Sequence, residues 1–439
     1  MKNIRLIDRR NFIKSVAGTA AGVAFGSQLG FASGPKPVMG KAKSVIQVWM
    51  WGGPSHLDTF DPKPGAGVDY TGPYRKPIET NVKGVYIGQK LPMLAKIADK
   101  YAILRGMTHG VFAHETATYL VQTGMQPGEM VYPSLGAVVA LKKGFGQEYK
   151  GVLPPYICLT QPQGRFSEAG FLGPKYKPFS TGGDPNAGKF IVQGIVAPGG
   201  IDDKRLAGRR GLLDKLDRYD AAGNSTLVQA DDFQEKAYDL ILGDSKKIFD
   251  LNLESDELRQ KYGRNRFGQS CLLARKLVQQ GVPFITINWK GWDTHKKHFE
   301  SMDKQLPQLD QGLATLISEL SEYGLLDSTI VLCGGEFGRS PKVHMDPPWN
   351  GGRQHYGHAF SWLVAGGGFK GGQVVGETDQ RGEYIRNRPI YPWDLNASIY
   401  QQLGIDPLGQ LPHPHGCVAY VTPLASGAVQ SGGLLTEIM

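Results

Sequence analysis

Thr329-Ile330-Val331-Leu332-Cys333-Gly334-Gly335-Glu336-Phe337-Gly338-Arg339-Ser340 reads as a short apolar strand that stops at two glycines and then presents a carboxylate and a guanidinium. Gly351-Gly352-Arg353-Gln354-His355 follows close behind and adds an imidazole. Open α/β sheets hold their ligands at the carboxyl ends of strands. The stretch therefore predicts an α/β fold with a site at its strand ends.

Working outward, other apolar runs share this habit. Ser44–Trp51 reads as a buried first strand stopped by Gly52-Gly53-Pro54, and Pro283–Asn288 reads as another strand. Ser361–Ala365 is the last clear core strand, and Pro155–Thr160 is a short one. Between them, Met302, Leu306, Leu309, Leu313, Leu316, Ile317 and Leu320 keep the period of an amphipathic helix. Leu91 to Leu104 also shows helical spacing, and His114 opens a further helix. Residues 200–280 are charge-rich and helical, either a crossover or an insertion. Strands alternating with helices imply a central, mostly parallel sheet with right-handed crossovers.

The chain has 439 residues, of which 41% are hydrophobic, enough for one large α/β core. Its 59 glycines and 28 prolines assign much of it to loops. Of the net charge of +9, +4 lies in the first 14 residues, where Lys2, Arg5, Arg9, Arg10 and Lys14 face only Asp8, and the rest of the chain is only weakly basic. No basic stripe is interleaved with aromatics, so a nucleic-acid partner is not expected. Arg9-Arg10-Asn11-Phe12 before the Gly/Ala-rich run 15–26 reads as a twin-arginine export signal over residues 1–32, leaving a domain over 33–439. Export to the periplasm or beyond is expected, with no membrane-spanning segment after signal removal. Cys158, Cys271, Cys333 and Cys417 are too scattered for a thiolate zinc site.

Four polar clusters follow strands or open helices. Gly52-Gly53-Pro54-Ser55-His56-Leu57-Asp58-Thr59-Phe60-Asp61 offers Asp58 to a hard cation, with turn chemistry as the plainer alternative. In Gly291-Trp292-Asp293-Thr294-His295, an extended backbone puts Asp293 and His295 on one face as a two-ligand clamp, although Asp293 could instead cap the helix containing His298. Glu336 suits a metal ligand or base, and Arg339 offers a fork for phosphate or sulfate, unless the two simply pair. In His114-Glu115-Thr116-Ala117-Thr118 a threonine hydroxyl at a helix start is a candidate nucleophile or a cap.

The motifs Gly52–Lys63, Gly291–His295, Glu336–Arg339 and Ala365–Gly372, together with the leader, closely resemble the exported bacterial family DUF1501. That family resembles the alkaline phosphatase and sulfatase superfamily. The resemblance implies an alkaline-phosphatase-like three-layer sandwich with a divalent metal, zinc or calcium, at the carboxyl edge of its sheet. It implies Asp58, Asp293, His295 (or His298) and His355 as metal ligands and Thr116 as nucleophile, with Glu336 as ligand or base and Arg339 on the anion. Where the superfamily carries an Asp-His pair after a late strand, this chain has Glu336-Phe337. It also lacks the sulfatase Cys-x-Pro-x-Arg motif. The expected function is an exported metal-dependent hydrolase of phosphate or sulfate esters acting on a small anionic ester. The alternative is a non-catalytic exported binding protein that keeps the fold with a degraded metal site. No organic cofactor is implied.

Overall fold

A computed structural model of the protein describes residues 40–162, 164, 168–190, 192, 208 and 244–439. The export signal expected over residues 1–32 and most of the segment 200–243 lie outside the described residues. The elements that build the site are β1 (Ser44–Trp51), β2 (Tyr101–Met107), α1 (His114–Thr123), α2 (Leu135–Lys143), β3 (Tyr156–Leu159) and β4 (Phe179–Ser180). They continue with α3 (Asp256–Tyr262), α4 (Arg266–Gln279), β5 (Phe284–Lys290), α5 (His298–Glu322) and β6 (Thr329–Gly334). The last are β7 (Gly338–Arg339), β8 (His355–Tyr356), β9 (Phe360–Ala365), β10 (Val374–Val375) and α6 (Pro392–Gln402).

Eight of these strands form one sheet in the order β10-β2-β9-β6-β1-β5-β3-β4. β1 runs parallel to both β5 and β6, and β3 runs parallel to β5 and β4. β9 alone opposes its neighbours, pairing antiparallel with β6 and β2. The sheet is therefore mixed but mostly parallel, as the alternation of strands and helices predicts.

Side-chain alternation along the strands feeds two cores. Ile46, Val48 and Met50 face Phe267, Leu272, Leu306 and Leu313 of α4 and α5. Val45 and Trp49 face Val121, Leu135, Val138 and Ile399 of α1, α2 and α6. Helices thus cover both sheet faces, giving the expected three-layer sandwich. Cys271 and Cys333 are buried thiols in the first of these cores. Local signals set the helix starts: Ser134 caps α2 and Asn265 caps α4, each accepting a backbone N–H from one turn in.

One expected element differs. The helical spacing over Leu91–Leu104 yields only a short turn of helix at Pro92–Ala95, and the chain then enters β2. Ile103 lies in one core and Ala102 and Leu104 in the other. A strand buried on both faces is apolar at nearly every position, so its spacing matches a helix as well as a strand.

The direction of β9 matters for the site. The parallel strands end at Trp51, Met107, Lys290 and Gly334. Because β9 is antiparallel, its beginning lies at that same edge. The loop carrying His355 and His358 into β9 therefore meets the loops that leave β1, β2, β5 and β6.

Candidate metal centre

Asp293 follows β5, His114 opens α1 after β2, and His355 lies in the loop before β9; together they can offer ligand atoms within 4.8 Å of one another. His295 completes the group: its Nε2 is 2.9 Å from Asp293 Oδ1 and 2.9 Å from His355 Nε2. His355 Nε2 is 3.2 Å from Asp293 Oδ1, and His114 Nε2 is 3.3 Å from Asp293 Oδ2. These four side chains are between 18% and 32% exposed, so the cluster opens to solvent on one side.

The ring tautomers give the arrangement its chemical meaning. His114 Nδ1 donates to Glu336 Oε1 at 2.7 Å, and His355 Nδ1 donates to the carbonyl of Phe112 at 2.7 Å. His295 Nδ1 donates to Gln354 Oε1 at 2.5 Å, with the amide oriented as found. A carboxylate and a carbonyl can only accept, so each Nδ1 carries a proton, and each Nε2 is either a lone pair or, in an imidazolium, a second donor. Three imidazole Nε2 atoms therefore converge on one carboxylate, and those of His295 and His355 lie 2.9 Å apart, within hydrogen-bond reach. His114 Nε2 is buried, with Asp293 Oδ2 at 3.3 Å as its ion-pair partner. A cation, either a bound proton or a metal ion, suits such a group.

A divalent metal fits the donor set. Tetrahedral ligands at about 2.0–2.1 Å lie about 3.3 Å apart, close to the 3.3 and 3.2 Å separations from Asp293 to His114 and His355. Imidazole donors with a carboxylate favour zinc or a similar ion over calcium, which prefers an all-oxygen shell. Metal-bound histidines usually donate their other ring N–H to a carboxylate or carbonyl, and Glu336 and Phe112 accept those protons here. Without metal, burial would lower the His114 imidazolium, but the carboxylates of Asp293 and Glu336 override it and push it up to about 9. Burial also opposes the charge of Asp293, yet the His114 and His355 hydrogen bonds and the Arg339 guanidinium hold its carboxyl well below the usual carboxylate range.

Two expected roles change. Glu336 is fully buried and accepts from both Gly52 N–H and His114 Nδ1, so it orients a ligand rather than facing substrate. Arg339 has no exposed surface. Its donors go to Asp293 Oδ1 and to the carbonyls of Gly52, Gly53 and Arg353. Four of its five N–H donors are taken in this way, and it is sealed from solvent, so it locks the Asp293 carboxylate rather than facing an anion. The Glu336–Arg339 pair considered from sequence does not form, because each side chain meets a different partner.

Asp58 and Thr116 do not join the cluster. Asp58 is buried in a separate knot, accepting from His298 Nε2 at 2.8 Å and ion-paired with Arg353, whose Nε lies 2.9 Å away. Burial would raise its carboxyl, but Arg353 and His298 hold it down at about 2. His298 belongs to that knot, so of the two histidines it is His295 that lies beside Asp293. Thr116 sits two residues after His114, about 200° around the helix. It lines a small cavity with Glu115, Tyr119 and residues 127–131 instead. His56 is buried, bonded to the Gly382 carbonyl and shifted down by burial, which leaves it neutral and structural.

Sequence reasoning did not single out His114 as a ligand. Its one signal is position: an imidazole at the first turn of a helix that follows a strand and is capped by a residue, Ala113, with no polar side chain. The glycines after β1 allow the loops to meet. At Gly52 and Gly53 the backbone adopts φ of 108° and 83°, and a side chain at Gly52 would run into the Asp293 backbone.

Fold and site together define an α/β protein with a histidine–carboxylate cluster at the carboxyl edge of a mixed sheet. Residues 42–418 match the family described as "Protein of unknown function (DUF1501)", and the chain belongs to that family. No curated protein matches it. Among solved structures, the lipoteichoic acid synthase LtaP from Listeria monocytogenes is similar at 9% identity over 88% of this chain and 76% of that chain, with a TM-score of 0.36. The PsFucS1 sulfatase from Pseudoalteromonas sp. is similar at 14% identity over 82% and 68%, with a TM-score of 0.35. A protein in the alkaline phosphatase superfamily from Vibrio parahaemolyticus is similar at 11% identity over 91% and 76%, also with a TM-score of 0.35. Likeness this distant bears on neither the site nor the reaction. Among the described residues no helix is long and apolar enough to cross a membrane.

Proposed function

We propose that this chain is a metal-dependent hydrolase of phosphate or sulfate esters, with His114, Asp293, His295 and His355 holding one divalent cation. The observation that carries the reading is the convergence of three imidazole nitrogens on the Asp293 carboxylate at a solvent-open sheet edge. A cation bound there polarises an ester oxygen and makes water a stronger acid. Glu336 keeps the His114 proton on Nδ1, and Arg339 fixes the Asp293 carboxylate. The start of α1 points its uncapped N–H groups toward this edge, a setting that favours an anionic group. Among the described residues no hydroxyl is placed as a nucleophile, so water is the attacking species in this scheme.

Purified protein tests this directly. The expected result is about one tightly held zinc-type ion per chain, together with turnover of chromogenic phosphate or sulfate esters that chelation stops. Absence of bound metal after reconstitution sinks the proposal. The Asp293–Arg339 ion pair, which already neutralises the carboxylate, favours the second reading of a binding protein. Bound metal with every ester inert selects that reading. The Arg9-Arg10 leader is proposed to export the chain by the twin-arginine route. Retention of an Arg9→Lys, Arg10→Lys variant in the cytoplasm is the matching result, and unchanged export of that variant rejects it.

A further inference from the structure

We infer that Asp58 and His298 are positioning residues for the metal centre, acting by fixing the two loops that carry its ligands. The inference rests on the metal-site reading above. Asp58, on the loop after β1, is buried, accepts from His298 at 2.8 Å and from Arg353 Nη2 at 3.3 Å, and has Arg353 Nε as an ion-pair partner at 2.9 Å. Each of these two partners leads to a ligand. His298 Nδ1 accepts from the Thr294 hydroxyl at 2.6 Å, and Thr294 lies between Asp293 and His295. Arg353 stands two residues before His355, and its backbone N–H donates to the Thr294 carbonyl at 3.2 Å.

Backbone bonds zip the loops together along the same line. Lys297 N–H donates to the Trp349 carbonyl and His298 N–H to the Gly351 carbonyl, each at 3.2 Å. Gly352 packs so closely on the His295 carbonyl that any side chain there would collide with it. Asp58 anchors this zipper from the β1 side, and the remaining Arg353 donors reach the carbonyls of Tyr70, Ser340 and Pro341. All members of the knot are buried, so none can touch substrate. Every donor–acceptor contact within it runs from N–H or O–H to a carboxylate, carbonyl or ring nitrogen. Both Asp58 oxygens and both His298 ring nitrogens are engaged within the knot, so none of these atoms is free for a cation.

Cobalt(II) titration of the full chain tests the inference, because cobalt reports both affinity and coordination geometry by its visible spectrum. His298→Leu is expected to weaken cobalt binding about 10- to 100-fold, the range of outer-sphere partners, and to alter the spectrum. His298→Gln keeps an N–H aimed at Asp58 and is expected to recover most of that loss. Thr294→Val, close to isosteric, covers the case in which His298→Leu does not fold, and is expected to weaken binding several-fold. Folded variants with wild-type affinity and spectrum overturn the inference. If wild-type protein binds no cobalt, the metal reading fails separately. The positioning role is then read from the imidazole NMR signals of His295 and His355, which must move in His298→Leu or Thr294→Val, and unmoved signals overturn it.

Discussion

Two groups of the same residue types lie at one sheet edge and behave in opposite ways. In the knot, Asp58, His298 and Arg353 are buried and pair with one another. In the cluster, Asp293, His114, His295 and His355 are partly exposed, and three imidazoles crowd one carboxylate. Residue identity does not distinguish the groups, since both offer carboxylate and imidazole with arginine nearby. Burial does. A structural ionic network closes on itself, whereas a cation site is left open by construction.

The comparison can be broken most forcefully at Asp58. Asp58→Ala strands the buried Arg353 charge and is expected to cost about 3–5 kcal/mol of stability, read from urea unfolding. An equal loss on replacing His355, which is 22% exposed, would mean that the cluster is structural too. Next in size, His114→Ala or His355→Ala is expected to remove stoichiometric zinc by mass analysis, exceeding the ~10- to 100-fold effect of an outer-sphere partner. Zinc retained by both variants would erase the distinction between the groups.

Acid gives a third handle. The Asp58 carboxyl sits at about 2 when folded, below its ordinary value of 3.8. Its stabilisation is therefore complete above about pH 4 and is lost as pH falls through about 2. The shift amounts to about 2 kcal/mol. Asp58→Asn is expected to flatten the fall in stability between pH 4 and 2 relative to wild type, and parallel curves would contradict the pairing. Smaller still, Glu336→Gln keeps a side-chain oxygen for the His114 proton, so about a tenfold loss of metal affinity is expected, measured by competition with a chromogenic chelator. Thr116→Ala closes the series with no change in metal content or ester turnover. A large loss of turnover would restore Thr116 as the nucleophile and overturn its placement away from His114.

Much of the architecture was legible in the chain. Apolar runs at 44–51, 283–288 and 329–333 announced parallel strands, and the spacing from Met302 to Leu320 announced α5, because burial imposes periodicity on residues near in sequence. The stretch entering β2 was ambiguous for the same reason, since double-sided burial removes the alternation. At the site, Asp293 and His295 were visible as neighbours on an extended segment. His114 was not, because its meaning depends on Glu336 and Asp293, which are 222 residues away and on a different strand end, respectively.

By itself the sequence determined the fold class, the family and the set of carboxylates and imidazoles delivered to one sheet edge. Those properties follow from local pattern, which chain neighbours carry. Only the tertiary structure decided which of those side chains remain open to a cation. It withdrew Asp58 into the knot and turned Thr116 away, and it made Glu336 and Arg339 supports for His114 and Asp293. The physical reason is that a lone pair is free or satisfied according to what stands within about 3 Å of it, and those partners come from distant parts of the chain.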